Sequence, residues 1–185
     1  MIYDHLAGKQ TIGVYLLLPG DLCWFLAVDF DGPEWIDDAA AFLETCHALQ
    51  APAILERSRS GNDGHVWIFF SETVPASLAR QLGGFILTKT MEKRHQIGLK
   101  SYDHLFPSQD TLPKGGFGNL IVLPLQKIPR DKGYSVFLGC EFQLFPDQWV
   151  YLSSIKKLIG YCGFLQITVR QRGKWRAVKK LAACC

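Results

Sequence analysis

The feature that most constrains the fold is an apolar run, CWFLAV (residues 23–28), that leads directly into Asp29, Phe30 and Asp31. A continuous apolar run of this length predicts a central β-strand that is covered on both faces. Residues two apart on a strand point to the same face, so the two carboxylates are expected side by side. Such a pair is unfavourable without a positive charge between them, and Mg²⁺ or Mn²⁺ prefers oxygen ligands of this kind. The alternative is that the strand ends before Asp29 and that both acids are loop residues or helix caps.

Strands and helices alternate along the rest of the chain, which indicates a single α+β domain. Further strands are predicted at residues 11–18, 53–61, 65–71, 119–126 and 164–171. Helices are predicted at residues 34–50, from Pro75 to about residue 96, and after a cap at Asp147. Residues 53–61 and 65–71 are expected to form a hairpin, and the segments 98–119 and 128–139 are expected to be irregular.

Composition limits the class of protein to a folded globular one. The 185 residues suffice for one domain with a core, and no apolar run reaches the length of a membrane span. The first ten residues lack the pattern of a signal peptide, so we expect a cytoplasmic protein. No CxxC pair is present, which argues against a zinc site, and Cys23 and Cys46 are predicted to be buried thiols.

The net charge of +3 is unevenly distributed, because no acid follows Asp147. The last part of the chain is therefore either a solvated basic face or a surface that binds phosphates. The basic residues there are Lys156, Lys157, Arg170, Arg172, Lys174, Arg176, Lys179 and Lys180.

The segment ERSRSGNDGH (56–65) is a second candidate for chemistry. Ser58 and Ser60 are expected on one strand face beside a glycine-containing turn, where hydroxyls and backbone N–H groups could hold a phosphate. Arg59 could add a charge-assisted contact, and His65 begins the return strand. No Walker A motif is present, and a polar hairpin tip with an exposed histidine is the alternative.

A third candidate is SYDHLFPSQDTLPKGGFGNLIVLP (101–124). Asp103 or Asp110 could add a third carboxylate to Asp29 and Asp31, while Lys114 and the following glycine loop could meet a triphosphate. Taken alone, the segment could also be a structural Ω-loop.

The order of these motifs resembles the archaeo-eukaryotic primase superfamily, and most closely the primase-polymerase domain of the TOTE conflict systems. The resemblance rests on HLAGKQTIGVYLLL, WFLAVDFDGPEW, ERSRSGNDGHVWIFF and FPSQDTLPKGGFGNLIVLPLQ, and it covers about residues 5–155. It implies a mixed or antiparallel sheet with an RRM-like element, flanked by helices. The predicted organisation is a catalytic core over residues 1–155, with a basic extension over 156–185 that packs on the same domain.

What the resemblance implies is template-directed nucleotidyl transfer on DNA, with nucleoside triphosphates as substrates and Mg²⁺ or Mn²⁺ as cofactor. The implied metal-binding and catalytic residues are Asp29, Asp31 and Asp110, the last chosen over Asp103 for its spacing to the strand at 119–126. The implied nucleotide contacts are Ser58, Arg59, Ser60, His65, Lys114 and Asn119. Nucleic acid is expected at Lys9 and at Lys156, Lys157, Arg170, Arg172 and Lys174. Helicase and nuclease components of the same system are the implied protein partners.

One residue departs from the family pattern. Asp63 places a negative charge two residues before His65, where relatives usually have a small neutral residue. Two other functions remain open at this point: a different metal enzyme, such as a nuclease or a glycosyltransferase, and a non-catalytic nucleic-acid-binding module that uses the basic end.

Overall fold

The computed structural model describes residues 1–93, 101–139 and 141–159, together with the backbone of 168–171 and 174–177. The helices are α1 (Ile2–Leu6), α2 (Trp35–Ala48), α3 (Ala76–Lys93), α4 (Lys127–Arg130) and α5 (Gln148–Ser153). The strands are β1 (Gly13–Tyr15), β2 (Leu22–Phe30), β3 (Ile54–Arg57), β4 (Gly64–Pro75), β5 (Tyr102–Phe106), β6 (Leu120–Val122), β7 (Val136–Leu138), β8 (Thr168–Gln171) and β9 (Lys174–Ala177). The predicted α+β class, with antiparallel sheets flanked by helices, is confirmed.

The main sheet has five strands in the order β5-β2-β4-β3-β7, and every neighbouring pair is antiparallel. β2 lies in the interior of this sheet, as its apolar sequence predicts. The β3–β4 pair is the expected hairpin, with Glu56 opposite His65 and Arg57 opposite Gly64. Two-residue alternation therefore places Asp29, Glu56 and His65 on one face of three adjacent strands.

The opposite face of the sheet packs against α2 and α3 and forms the core. Phe30 meets Phe42 of α2 edge-on at a centroid distance of 5.8 Å. Val28, Val66 and Ile86 are fully buried in the same cluster. Covering one face with helices leaves the other face free to carry polar groups, and this is the face that Asp29 and His65 share.

Two small sheets accompany the main one. β1 pairs with β6, with Val14 opposite Ile121, and β8 pairs with β9 as a hairpin. The predicted strand 11–18 is thus shorter than expected, at Gly13–Tyr15, and the strand at 119–126 is confined to Leu120–Val122. β6 therefore belongs to a sheet other than the one that carries Asp29.

Several local predictions are confirmed. α2 and α3 lie where expected, and Asp147 caps α5 by accepting from the backbone N–H groups of Trp149 (2.8 Å) and Val150 (3.0 Å). Cys23 and Cys46 are free and buried. Among the described residues, no helix is long and apolar enough to cross a membrane.

Two segments predicted as irregular contain regular structure. Residues 98–119 include β5, and residues 128–139 include β7 and part of α4. The predicted helix residues 94–96 and strand residues 164–167 lie outside the described residues. That the extension 156–185 packs on the core stays a prediction.

Candidate active site

Asp29 and Asp31 lie at the end of β2, and their placement follows from the strand geometry. Asp29 is the penultimate residue of the strand, opposite His65 of β4. Asp31 lies one residue beyond the strand, where its backbone N–H donates to the Ser101 carbonyl (2.6 Å). The two carboxylates approach each other on one side of the sheet, as residues two apart on extended backbone should.

A β-bulge in the edge strand β5 brings in the third acid. Val28 pairs with Leu105 and Phe30 with Tyr102, so one residue of β2, Asp29, faces two residues of β5. Those two residues are Asp103 and His104. Without the extra residue, alternation would direct Asp103 to the same face as Leu105, which contacts α3. Bulges redirect side chains in this way, and they are common beside active sites.

Asp29, Asp31 and Asp103 form an acidic cluster in which one ligand oxygen from each lies within 4.8 Å of the others. Burial raises the pKa of Asp29 to about 6; the charge of His65 opposes this, while Asp31, Asp103 and Asp63 add to it. Burial, followed by the charges of Asp63 and Asp103, also raises the pKa of Asp31. Ionising all three groups is therefore costly unless a cation joins them.

His65 lies between two carboxylates. Its Nδ1 is 3.1 Å from Glu56 Oε2, and its Nε2 is 3.3 Å from Asp29 Oδ1. Glu56 also accepts from Trp67 Nε1 (2.9 Å) and is only 2 % exposed. Burial alone would lower the pKa of His65, but the hydrogen bond and charge of Glu56, with the charges of Asp29 and Asp31, outweigh it and raise that pKa. The ring is thus held in one orientation as a cation-prone group beside the acidic cluster.

The acidic cluster fits a divalent cation. Asp29 Oδ1 is buried and forms no hydrogen bond with any described residue, although His65 Nε2 lies 3.3 Å away. An unsatisfied buried oxygen on an ionisable group is unusual and calls for a partner. Three carboxylates at this separation offer the hard oxygen ligands that Mg²⁺ and Mn²⁺ prefer.

The turn between β3 and β4 carries the predicted hydroxyl pair. Ser58 Oγ and Ser60 Oγ are 2.9 Å apart, and both donate to Asp63, at 3.3 Å and 2.5 Å. The serines therefore lie together, as the sequence predicts, but they hold a carboxylate. Arg59 points elsewhere, donating to Thr11 Oγ1 at 2.9 Å.

Asp110, predicted as the third acid, lies outside the acidic cluster. Its carboxylate pairs with Arg80 of α3 at 2.8 Å and is largely exposed. The structure groups Asp103 with Asp29 and Asp31 instead. The spacing to the strand at 119–126 was a poor guide, because β6 pairs with β1 and does not extend the main sheet.

For the other predicted residues, the contacts seen in the described part of the chain do not involve the acidic cluster. Lys114 is exposed in the loop before β6, and Asn119 accepts a hydrogen bond from Ser108. Lys9 is 3.8 Å from Asp4 and lies over the Tyr3 ring at 5.5 Å. Their predicted contacts with nucleotide and nucleic acid stay predictions.

The predicted basic surface is described only in part. Lys156 and Lys157 are exposed on the segment that follows α5. Arg170 lies on β8 and Lys174 on β9, whereas Arg172 falls outside the described residues. Their predicted contact with nucleic acid stays a prediction.

Sequence reasoning missed two acids that support this site. Glu56 interrupts the apolar strand ILER opposite His65, and that interruption was a usable signal. Asp38 of α2 is fully buried and accepts from Ser101 N–H (3.1 Å) and Ser101 Oγ (2.7 Å). Because Ser101 in turn binds the backbone of Asp31, Asp38 ties α2 to the start of β5 and to the acidic cluster.

Comparison with known protein families gives a match that covers this site. The family model for the archaeo-eukaryotic primase domain of the TOTE conflict systems matches residues 1–160. A search of curated proteins gives no match. The matched range includes every residue of the acidic cluster, His65 and the Ser58–Asp63 turn.

Proposed function

The chain belongs to the archaeo-eukaryotic primase domain family of the TOTE conflict systems, and on that premise we propose that it joins nucleotides on a DNA template in a divalent-metal-dependent reaction. The substrates are nucleoside triphosphates, and the product is a primer or an extended strand. The observation that carries the proposal is the convergence of Asp29, Asp31 and Asp103 within 4.8 Å beside His65.

The acidic cluster would hold the cations. Divalent ions bound there would activate the attacking 3′-hydroxyl and stabilise the leaving pyrophosphate. Asp29 would be the central ligand, since it is the most deeply buried of the three acids and has the unsatisfied oxygen. Asp103 replaces Asp110 in this assignment.

His65 would bind a phosphate oxygen of the incoming nucleotide. Its raised pKa keeps the ring protonated to higher pH than an ordinary histidine, so Nε2–H can donate to an anionic oxygen. Glu56 acts as a positioning residue by fixing Nδ1. A donor that is already oriented costs little reorganisation when charge develops on the phosphoryl oxygens.

The hydroxyls of Ser58 and Ser60 supply further donors next to His65. A phosphate that reached them would have to compete with Asp63 for the same protons. Lys114 and Asn119 lie on the segment before β6 and make no contact with the acidic cluster among the described interactions, so we place them second to His65 and the serines.

The test is an extension assay with labelled nucleotides on a DNA template, with and without a primer, in Mg²⁺ or Mn²⁺. Wild type is expected to lengthen the strand, EDTA to abolish the reaction, and Asp29→Ala to reduce it at least a thousandfold. Asp37→Ala is a matched control, because Asp37 is exposed on α2, outside the acidic cluster. It should react as wild type does.

Other outcomes separate the rival functions. Shortening of the strand that requires Asp29 would identify a nuclease. DNA binding without any turnover, unchanged in Asp29→Ala and steeply dependent on salt, would identify a non-catalytic binding module. Either result overturns the proposal.

A further inference from the structure

A second candidate site lies beside the turn that leads to His65. It is a pocket of about 360 Å³ between that turn and the segment around α4. Its polar lining consists of Thr11, Arg59, Ser60, Gln126, Lys132 and Tyr134. Two cations, three hydroxyls and an amide thus face one space, and no carboxylate of the described residues lines it.

Within the described part of the chain, the two cations of this pocket form no ion pair with a carboxylate. Arg59 donates to the neutral hydroxyl of Thr11 (2.9 Å). Asp131, the acid next to Lys132 in sequence, pairs with Lys127 instead (2.5 Å). Ser60 already donates to Asp63 (2.5 Å), so the donors open to a ligand are the two cations and the other neutral lining groups. A guanidinium and an ammonium ion beside neutral hydroxyl and amide groups form a typical environment for a phosphate group.

The walls of the pocket are fixed to each other. Ser135 N–H donates to the Ser58 carbonyl at 3.0 Å, which joins the two segments through the backbone. Gly61 packs so closely on Tyr134 that an added Cβ would lie 2.5 Å from its ring. The pocket therefore exists without a ligand, and binding would require little ordering of the chain.

We infer that this pocket binds a phosphate group carried by a nucleotide or by a nucleic-acid strand. The inference rests on the proposed function only for the choice of these two carriers. The pocket shares Ser60 with the turn at the active site, so a phosphate bound here would belong to the same substrates that the acidic cluster acts on.

Binding is tested in EDTA, so that the result does not depend on the acidic cluster. One probe is a fluorescent nucleoside triphosphate, compared with its monophosphate. The other is a fluorescein-labelled single-stranded DNA, titrated at several salt concentrations. The variants are Arg59→Ala and Lys132→Ala, both at exposed positions, and the matched control is Lys93→Ala at the exposed end of α3.

Each pocket variant should weaken the same probe about three- to tenfold, while Lys93→Ala binds as wild type. An effect on the triphosphate alone identifies the nucleotide as the carrier. An effect on DNA, with the salt slope reduced by about one per cation removed, identifies the strand. Unchanged affinity for both probes, or equal weakening by Lys93→Ala, overturns the inference. Extension activity plays no part in this readout, so a failure here leaves the proposed function standing, and the reverse also holds.

Discussion

Asp29 and Glu56 lie at opposite ends of one imidazole ring, and their surroundings differ. Glu56 is the more deeply buried, yet it accepts from His65 at 3.1 Å and from Trp67 at 2.9 Å. Asp29 has Asp31 and Asp103 as neighbours and a buried oxygen without a hydrogen bond from the described residues. Glu56 thus receives its hydrogen bonds from neighbouring side chains, whereas Asp29 Oδ1 receives none from the described residues. Burial alone does not separate these two carboxylates: Glu56 has two hydrogen-bond donors, whereas Asp29 has an unsatisfied oxygen together with two acidic neighbours.

After the loss expected for Asp29→Ala, the next largest effect is expected at Asp103, the third acid of the cluster. Asp103→Asn should lower the extension rate at least a hundredfold, because it removes a charged ligand from the acidic cluster. Asp110→Asn makes the same chemical change but breaks only a surface pair with Arg80, worth under about 1 kcal/mol, so the rate should stay within about threefold. Steady-state extension assays check both. The reverse order of effects would return the third position to Asp110.

The choice between these two acids also marks how far sequence reasoning reaches. β2, α2 and the β3–β4 hairpin have strong local patterns, and the sequence predicts each of them, together with the close approach of Asp29 and Asp31. β5 is five residues long and has Asp103 and His104 in its middle, so its alternation is hidden. It becomes a strand by pairing with β2, which is 72 or more residues earlier in the chain.

The bulge opposite Asp29 could not be predicted from the sequence either. A bulge is a property of two paired strands, and no feature of either sequence alone specifies it. Glu56 stands out in the sequence as an acid in an apolar strand, but its role depends on the register that puts it opposite His65. Side-chain type and spacing predicted an acidic cluster, and long-range pairing decides which residues lie together in it.

A second prediction concerns the contribution of Asp29 to the pH dependence of stability. The pKa of Asp29 is 3.8 in an ordinary setting and about 6 in the folded protein, so between those values the native state holds the proton more tightly than the unfolded state. Stability should therefore fall as pH rises from about 4 to 6, by about 3 kcal/mol at most, and then level off. Asp29→Asn cannot titrate and should lack this component.

The measurement is urea unfolding in EDTA at several pH values, read as wild type minus Asp29→Asn so that groups not coupled to Asp29 cancel. His65 is coupled to Asp29, so the comparison is made between pH 4 and 6, where the carboxyl of Asp29 itself titrates. Adding Mn²⁺ at pH 7.5 should stabilise the wild-type protein by about 2.7 kcal/mol at a concentration one hundred times the Kd. The same addition should not stabilise Asp29→Asn. A difference that grows with pH between 4 and 6 would contradict the assignment of Asp29 as an unsatisfied acid.

A third prediction removes the charge of Glu56 while keeping its shape. In Glu56→Gln the amide oxygen can still accept from His65 and Trp67, but the charge that stabilises the imidazolium is lost. The pKa of His65 should fall, and extension at pH 8 should drop about tenfold, with a smaller loss at pH 6. Glu72→Gln, at an exposed position on β4, is the control.

A titration of the His65 ring nitrogens by ¹⁵N NMR checks the cause directly. The expected result is a lower His65 pKa with the Nδ1 proton retained. An unchanged pKa with reduced activity would make Glu56 a structural residue only.

The smallest expected effect concerns Asp63, whose charge helps to raise the pKa of Asp29 and Asp31 from the turn before His65. Asp63→Asn keeps an acceptor for Ser58 and Ser60 but removes the negative charge that a triphosphate would meet there. The KM for nucleotides should therefore fall two- to fivefold at low salt, with little change in kcat. Because exposed charges are screened within about 10 Å at 0.1 M salt, the gain should shrink as ionic strength rises. A KM that increases would mean that Asp63 binds the substrate or its metal. The site would then use four carboxylates, one more than the three of the acidic cluster.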